Sequence, residues 1–219
     1  MLNSEMYFKM LQGLCTTFNL FFVVVIFSIP LGFIICVMLN LTKNFFLKFL
    51  IKSYINIIRG TPLLLQLFFL FYGVSYIPII GKFFIIKSRF FSCFISFVFN
   101  YAAYFAEIFR GGFLAVDDGQ TEAAKSLSLS PIRTVLKILM PQVLGVTLPS
   151  ICNECVSLVK DTSLMFSLGI QELLSTTKNI VNTTSNTSAY LFSAAIYFLA
   201  SFLVIQVFKI LEKTKFKKF

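Results

Sequence analysis

The stretch "FNLFFVVVIFSIPLGFIICVML" (Phe18–Leu39) carries no charged residue over 22 positions. A bilayer core is crossed by about 20 apolar residues in an α-helix, so the segment reads as a membrane span, with Pro30 and Gly32 marking an expected kink. The rest of the chain is of the same kind. It is 58% hydrophobic and 17% aromatic with only 13% charged residues, against about 25% charged in soluble domains. The 219 residues leave room for a handful of spans and their loops, so the fold class is all-α, a polytopic membrane protein in one transmembrane domain over residues 1–219. The N-terminus lacks a basic region and a small-residue cleavage site, and the first span is expected to stay as an anchor.

Four further apolar stretches follow, at about Pro62–Ile80, Phe90–Phe109, Val143–Leu168 and Tyr190–Phe208. The net charge of +10 is spread in short clusters between them, which is the pattern of topology signals and not of a surface that tracks phosphates. Nucleic acid is therefore not an expected partner. Lys43, Lys48, Lys52 and Arg59 follow the first span, Arg110, Lys125, Arg133 and Lys137 follow the third, and Lys209, Lys213, Lys215, Lys217 and Lys218 follow the fifth. With five spans these regions share one side, which the positive-inside rule makes the cytoplasm. The N-terminus is then outside and the C-terminus inside, and Lys9, the loop with Lys82, Lys87 and Arg89, and the "STTKNIVNTTSNTS" loop with Lys178 face outward. That last stretch reads as a polar external loop.

Several chemistries are excluded. The chain has no histidine, so there is no His-based acid–base pair, triad or metal ligand. It has neither a Gly-x-Ser-x-Gly elbow nor a Gly-x-x-x-x-Gly-Lys-Ser/Thr phosphate loop, so it is not expected to be an enzyme, to bind a cofactor or to hydrolyse ATP. Five cysteines scattered through apolar segments do not form a disulfide framework. Cys152 and Cys155 lack the second pair a zinc site needs and read as small apolar helix residues.

The one long polar connection is Ala115–Gln142. Glu122, Ala123, Ala124, Lys125 and Leu127 suit a helix. Ser130 and Pro131 are the N-cap and first residue of a second helix, in which Ile132, Val135, Leu136 and Leu139 make one apolar face and which Pro141 is expected to stop. By periodicity alone this pair of helices could rest on lipid headgroups. "EAAKSLSLSPIRTVLKILMP", however, resembles the EAA loop of the membrane-spanning subunits of bacterial ATP-binding cassette importers, with Glu122, Ala123, Ala124, Leu127, Ile138 and Pro141 matching and Ser128 standing where that pattern has Gly. "RGTPLLLQLFFLFYG" (Arg59–Gly73), "AAYFAEIFRGGFLAVDDGQTEAAKSL" (Ala102–Leu127) and "LPSICNECVSLVKDTSL" (Leu148–Leu164) extend the resemblance to the polar amino-acid permeases of that superfamily, over most of residues 10 to 212. The resemblance implies an inner-membrane permease whose loop, through Glu122, Ala123, Ala124, Leu127, Ser128 and Pro141, couples to an ATPase. It also implies two ATPase subunits that hold the ATP, an external amino-acid-binding protein and a second permease copy or paralogue.

The fourth span carries Asn153, Glu154, Lys160 and Asp161. An ionisable group near the bilayer centre costs several kcal/mol and marks a functional path by default. Glu154 and Asp161 lie two turns apart on nearly one face, with Asn153 and Lys160 on the adjacent face. The carboxylates could pair with the ammonium or guanidinium of an amino acid, and the resemblance also puts the substrate site along this helix; an internal salt network is the structural alternative. A basic amino acid fits the acidic pair, whereas neutralisation by Lys160 would suit glutamine or another zwitterion. Gln66 could face the same path or pack in the core. Arg59 reads as a topology charge, Thr61 and Pro62 as the N-cap and first residue of span two, and Glu107 as the i+3 partner of Arg110. A secondary transporter or channel, with Glu154 and Asp161 as an ion or proton relay, is the competing function.

Overall fold

The computed structural model describes residues 4–78 and 87–215. Ile80, Lys82, Lys217 and Lys218, used above to bound a span and to count charges, lie outside the described residues. The described chain is helical throughout, as its apolar composition requires: in a bilayer every backbone N–H and C=O must be satisfied internally.

Helix α1 (Ser4–Leu41) runs unbroken through Pro30. Helix α2 (Phe45–Gly60) follows, started by Asn44, whose side-chain oxygen accepts from the amides of Phe46 and Leu47. Helix α3 (Leu63–Phe68) continues through a π-helical turn (Phe69–Gly73) and a 3-10 turn (Val74–Tyr76). Helix α4 is Arg89–Ala115 and α5 is Asp118–Ser126. Helix α6 spans Pro131–Leu168, with a π-helical turn at Val135–Leu139 and a 3-10 end at Thr162–Leu168. Helices α7 (Leu173–Thr184) and α8 (Ser188–Lys215) complete the order.

Among the described residues, α1, α4, α6 and α8 are each long and apolar enough to cross a membrane. The α2–α3 pair, bent by 108°, makes a fifth span if taken as one. Five spans were expected, but the second differs in form. It begins at Phe45 and breaks at Gly60–Pro62, so Thr61 closes α2 and does not cap α3; its hydroxyl donates to the Ile57 carbonyl at 2.8 Å. Pro62 precedes the first helical residue, Leu63, without a side-chain cap.

The core lies where α1, α4 and α6 meet, around Leu20, Val24, Phe97, Phe105, Phe109, Cys155 and Leu158. Two glycines allow the close approach. A Cβ on Gly32 of α1 would lie 2.7 Å from the Phe105 Cβ and 2.8 Å from the Ala102 carbonyl oxygen of α4, and one on Gly112 of α4 would collide with Thr147 and Val143 of α6. Gly32 thus serves helix contact. Large apolar side chains such as Phe22, Ile26, Leu191, Phe198 and Ile210 are more than half exposed, which suits a lipid-facing perimeter.

Two further expectations change. Pro141 does not end the second helix of the long connection; α6 runs on through it into the fourth span. A proline removes an amide donor and its ring crowds the carbonyl four residues back, and the wider π-helical turn just before it accommodates that loss. The residues Ile132, Val135, Leu136 and Leu139 are accordingly split, with Val135 buried and Ile132 and Leu136 exposed. The "STTKNIVNTTSNTS" stretch is largely helix α7 and not a loop. Its N-cap is Glu172, a fully buried residue whose carboxylate accepts from the amides of Leu174 and Ser175 at 2.7 and 2.6 Å and from the Tyr197 hydroxyl at 2.8 Å.

Candidate functional site

Between the α2–α3 bend, α4 and α6 lies a cavity of about 690 Å³ lined by Arg59, Asn100, Tyr101, Tyr104, Glu154 and Asp161, among others. Glu154 and Asp161 share it because seven residues are nearly two full turns of helix. Asn153 and Lys160 are exposed and do not line it, so Lys160 stands outside the cavity that holds the acidic pair.

Helix α4 supplies the opposite wall. Tyr101, only 2% exposed, donates its hydroxyl to Asp161 Oδ2 at 2.7 Å. One turn on, the Tyr104 ring lies under the Arg59 guanidinium, with 5.5 Å between the guanidinium carbon and the ring centroid. Arg59 Nη1 is 3.7 Å from Glu107 Oε1. Glu107 also takes both nitrogens of Arg110, Nε at 2.9 Å and Nη2 at 2.6 Å, which is the i+3 pair expected from sequence. Arg59 is thus more than a topology charge: it lines the cavity, steadied by an aromatic face and a carboxylate. The cavity offers two carboxylates and one guanidinium.

Gln66 is not a wall residue. Its amide nitrogen reaches the carbonyls of Ile58 (2.8 Å) and Thr61 (3.1 Å) and the Thr61 hydroxyl (2.8 Å), and its oxygen accepts from Asn100 at 2.9 Å. A broken span leaves carbonyls without intrahelical donors. Gln66 satisfies them and ties the break to Asn100. Tyr101 and Tyr104 were missed by the sequence reading. Their only signal was two phenols at i and i+3 between Asn100 and Glu107, and nothing in one chain says which helix they face.

In the EAA-like loop, α5 holds Glu122 and Ala123 exposed and Ala124 buried. It ends in a reversal in which the Ser128 amide bonds the Lys125 carbonyl at 2.8 Å and the Leu129 amide bonds that of Ala124 at 3.1 Å. This is a Schellman cap, whose central residue adopts the left-handed conformation. Ser128 does so at φ +53°, which explains the glycine of the EAA pattern and shows that serine makes the same turn. Leu127, Ile132 and Leu136, exposed by 73%, 62% and 49%, form an uncovered apolar patch around it.

Residues 28–217 match the family described as binding-protein-dependent transport system inner membrane component. The chain is 31% identical over 194 residues to an octopine transport system permease protein of Rhizobium radiobacter, covering 85% of this chain and 79% of that one. It is 34% identical over 192 residues to an L-cystine transport system permease protein of Bacillus subtilis (85% and 80% covered), and 34% identical over 203 residues to a putative glutamine transport system permease protein of Rickettsia felis (92% and 90%). A solved amino acid ABC transporter described with histidines superposes with a TM-score of 0.82 at 30% identity, covering 94% of this chain and 93% of that one. The inward-facing MetNI methionine ABC transporter superposes with a TM-score of 0.79 at 16% identity, over 97% and 98% of the two chains, a likeness of fold. The chain belongs to the inner-membrane components of binding-protein-dependent transport systems, as a permease of the amino-acid ABC importer class. It is a multi-pass inner-membrane protein and a transport subunit.

Proposed function

We propose that the chain moves polar, preferentially basic, amino acids into the cytoplasm by alternating access, with the cavity of Arg59, Glu154 and Asp161 as the substrate station. The observation that carries this is the charge set of that cavity. A basic amino acid has two cationic groups and one carboxylate, the mirror image of Glu154, Asp161 and Arg59. Charge-assisted hydrogen bonds to those three offset the desolvation of a fully ionised substrate. A zwitterion such as glutamine would leave one carboxylate unmatched.

In this reading the N-terminus is outside and the C-terminus and α5 are cytoplasmic. Two ATPase subunits, which bind the ATP, dock on α5 and the patch of Leu127, Ile132 and Leu136. Glu122, Ala123 and Ala124 transmit their closure, and Pro141 lies within α6, just after its π-helical turn, between the loop and the part of the helix that carries Glu154 and Asp161. A second permease copy or paralogue and an external amino-acid-binding protein complete the transporter.

The test is uptake of radiolabelled arginine into vesicles holding the permease, its ATPase and its binding protein. It is run with and without internal ATP, with excess unlabelled glutamine, and with Glu154→Gln. ATP-dependent uptake that resists glutamine and collapses in the variant is expected. Uptake blocked by glutamine and indifferent to Glu154 retires the acidic station but keeps the importer; uptake without ATP points to a gradient-driven relay instead.

A further inference from the structure

A second cavity, of about 860 Å³, lies at the α5 end of the bundle between the close of α1, α2, the last turns of α4 and the start of α6. Its charged lining is Lys48, Lys52, Arg110, Lys125, Glu107 and Asp118. Four cations against two carboxylates leave a net +2. Arg110 is spent on Glu107 through two hydrogen bonds, whereas Lys48, Lys52 and Lys125 make no ion pair among the described residues. Three ammonium groups converging on one concavity repel one another, and an anion lowers that cost.

The surroundings say what kind of anion. Lys48 and Lys52 are one turn apart on α2, at the edge of a face on which Phe45, Phe46, Phe49 and Leu50 are 83%, 65%, 58% and 47% exposed. The opposite side of α2 packs through Ile55, which is buried with Leu39 and Ala106. Helix α2, the first limb of the broken second span, is therefore amphipathic, with lysines where its apolar face gives way to the cavity. A free phosphate or a nucleotide would satisfy the lysines and make no use of the aromatic row beside them. A ligand with an anionic head and hydrocarbon tails satisfies both.

We infer that this cavity binds the phosphate of an anionic phospholipid, held by Lys48, Lys52 and Lys125, with the acyl chains lying along Phe45, Phe46 and Phe49. The position agrees with the proposed orientation, which puts this end at the inner leaflet, where anionic lipids attract basic segments. The site is separate from the amino-acid station, so its test does not depend on which substrate is carried.

The experiment is native mass spectrometry of the permease purified with its ATPase, exchanged into a defined mixture of phosphatidylglycerol and phosphatidylcholine. Wild type is expected to retain phosphatidylglycerol selectively. Each lysine near an anionic surface is worth about fivefold in affinity, so K48Q/K52Q/K125Q should lower retention on the order of a hundredfold. K48R/K52R/K125R, which keeps the charge, and K209Q/K213Q, which alters lysines of α8 outside the cavity, should retain the lipid. The proposal is overturned if the triple glutamine variant keeps its phosphatidylglycerol, or if phosphatidylcholine is held equally well. Displacement by millimolar inorganic phosphate would make it a free-phosphate site, and lipid retained by the permease purified alone but not by its complex with the ATPase would make the partner its occupant; either result overturns the proposal.

Discussion

Tyr101 of α4 donates its hydroxyl to Asp161 of α6 across 2.7 Å, joining the two helices that wall the charged cavity. The phenol holds one carboxylate in place and uses one of its lone pairs, so Asp161 is oriented before any substrate arrives. Glu154, on the same wall two turns earlier, has no such partner among the hydrogen bonds of the described residues and is free to turn toward a ligand.

Tyr101→Phe should therefore weaken substrate binding without dismantling the bundle. A hydrogen bond to a charged group is worth about 1.5–3 kcal/mol. Since a mobile Asp161 can still reach the substrate, the expected loss is at the lower end, about tenfold in the KM for uptake. The check is saturation kinetics together with thermal unfolding of the purified variant, whose midpoint should stay close to wild type.

Arg59 is expected to read the substrate carboxylate. Wild type should prefer arginine over argininamide, which lacks that carboxylate, and Arg59→Gln should erase the preference. Competition of each ligand against labelled arginine measures it. Equal discrimination in the variant would return Arg59 to a structural role with Glu107 and Tyr104.

Ser128 carries a left-handed backbone at φ +53°, which costs an L-residue about 1 kcal/mol relative to glycine. Ser128→Gly should stabilise the α5–α6 reversal by about that amount, and Ser128→Val should destabilise it. Hydrogen exchange of the Leu127–Leu129 amides reads the local effect, with slower exchange expected in the glycine variant.

Glu172 caps α7 and takes the Tyr197 hydroxyl while fully buried. Glu172→Ala should cost about 2 kcal/mol, from a lost cap and an orphaned hydroxyl, seen as a lower unfolding midpoint. Burial holds this carboxyl above the usual carboxylate range, against the pull of its three donors. The folded chain thus keeps the proton to higher pH than the unfolded chain. The resulting stabilisation is full below the ordinary carboxylate range and is lost as pH rises through the folded value. Glu172→Gln should remove that part of the pH dependence.

Much of this was legible in the chain itself. Apolar runs near 20 residues specify spans because bilayer thickness is fixed, and the i, i+7 spacing of Glu154 and Asp161 places both on one helical face whatever surrounds it. The two helices of the EAA-like loop were readable because helix propensity and the Ser130–Pro131 start are local, whereas the left-handed turn at Ser128 was not, because serine seldom takes that conformation. Tertiary structure alone decided what depends on neighbours. It turned Arg59 from a loop charge into a cavity wall, since the 108° bend after α2 is stabilised by Gln66, just beyond it, which is held in turn by Asn100, 34 positions further on. It paired Tyr101 with Asp161 across 60 positions, and it carried α6 through Pro141 by a π-helical turn. Local spacing determines which side chains share a face. Only the packing of one helix on another decides what that face meets.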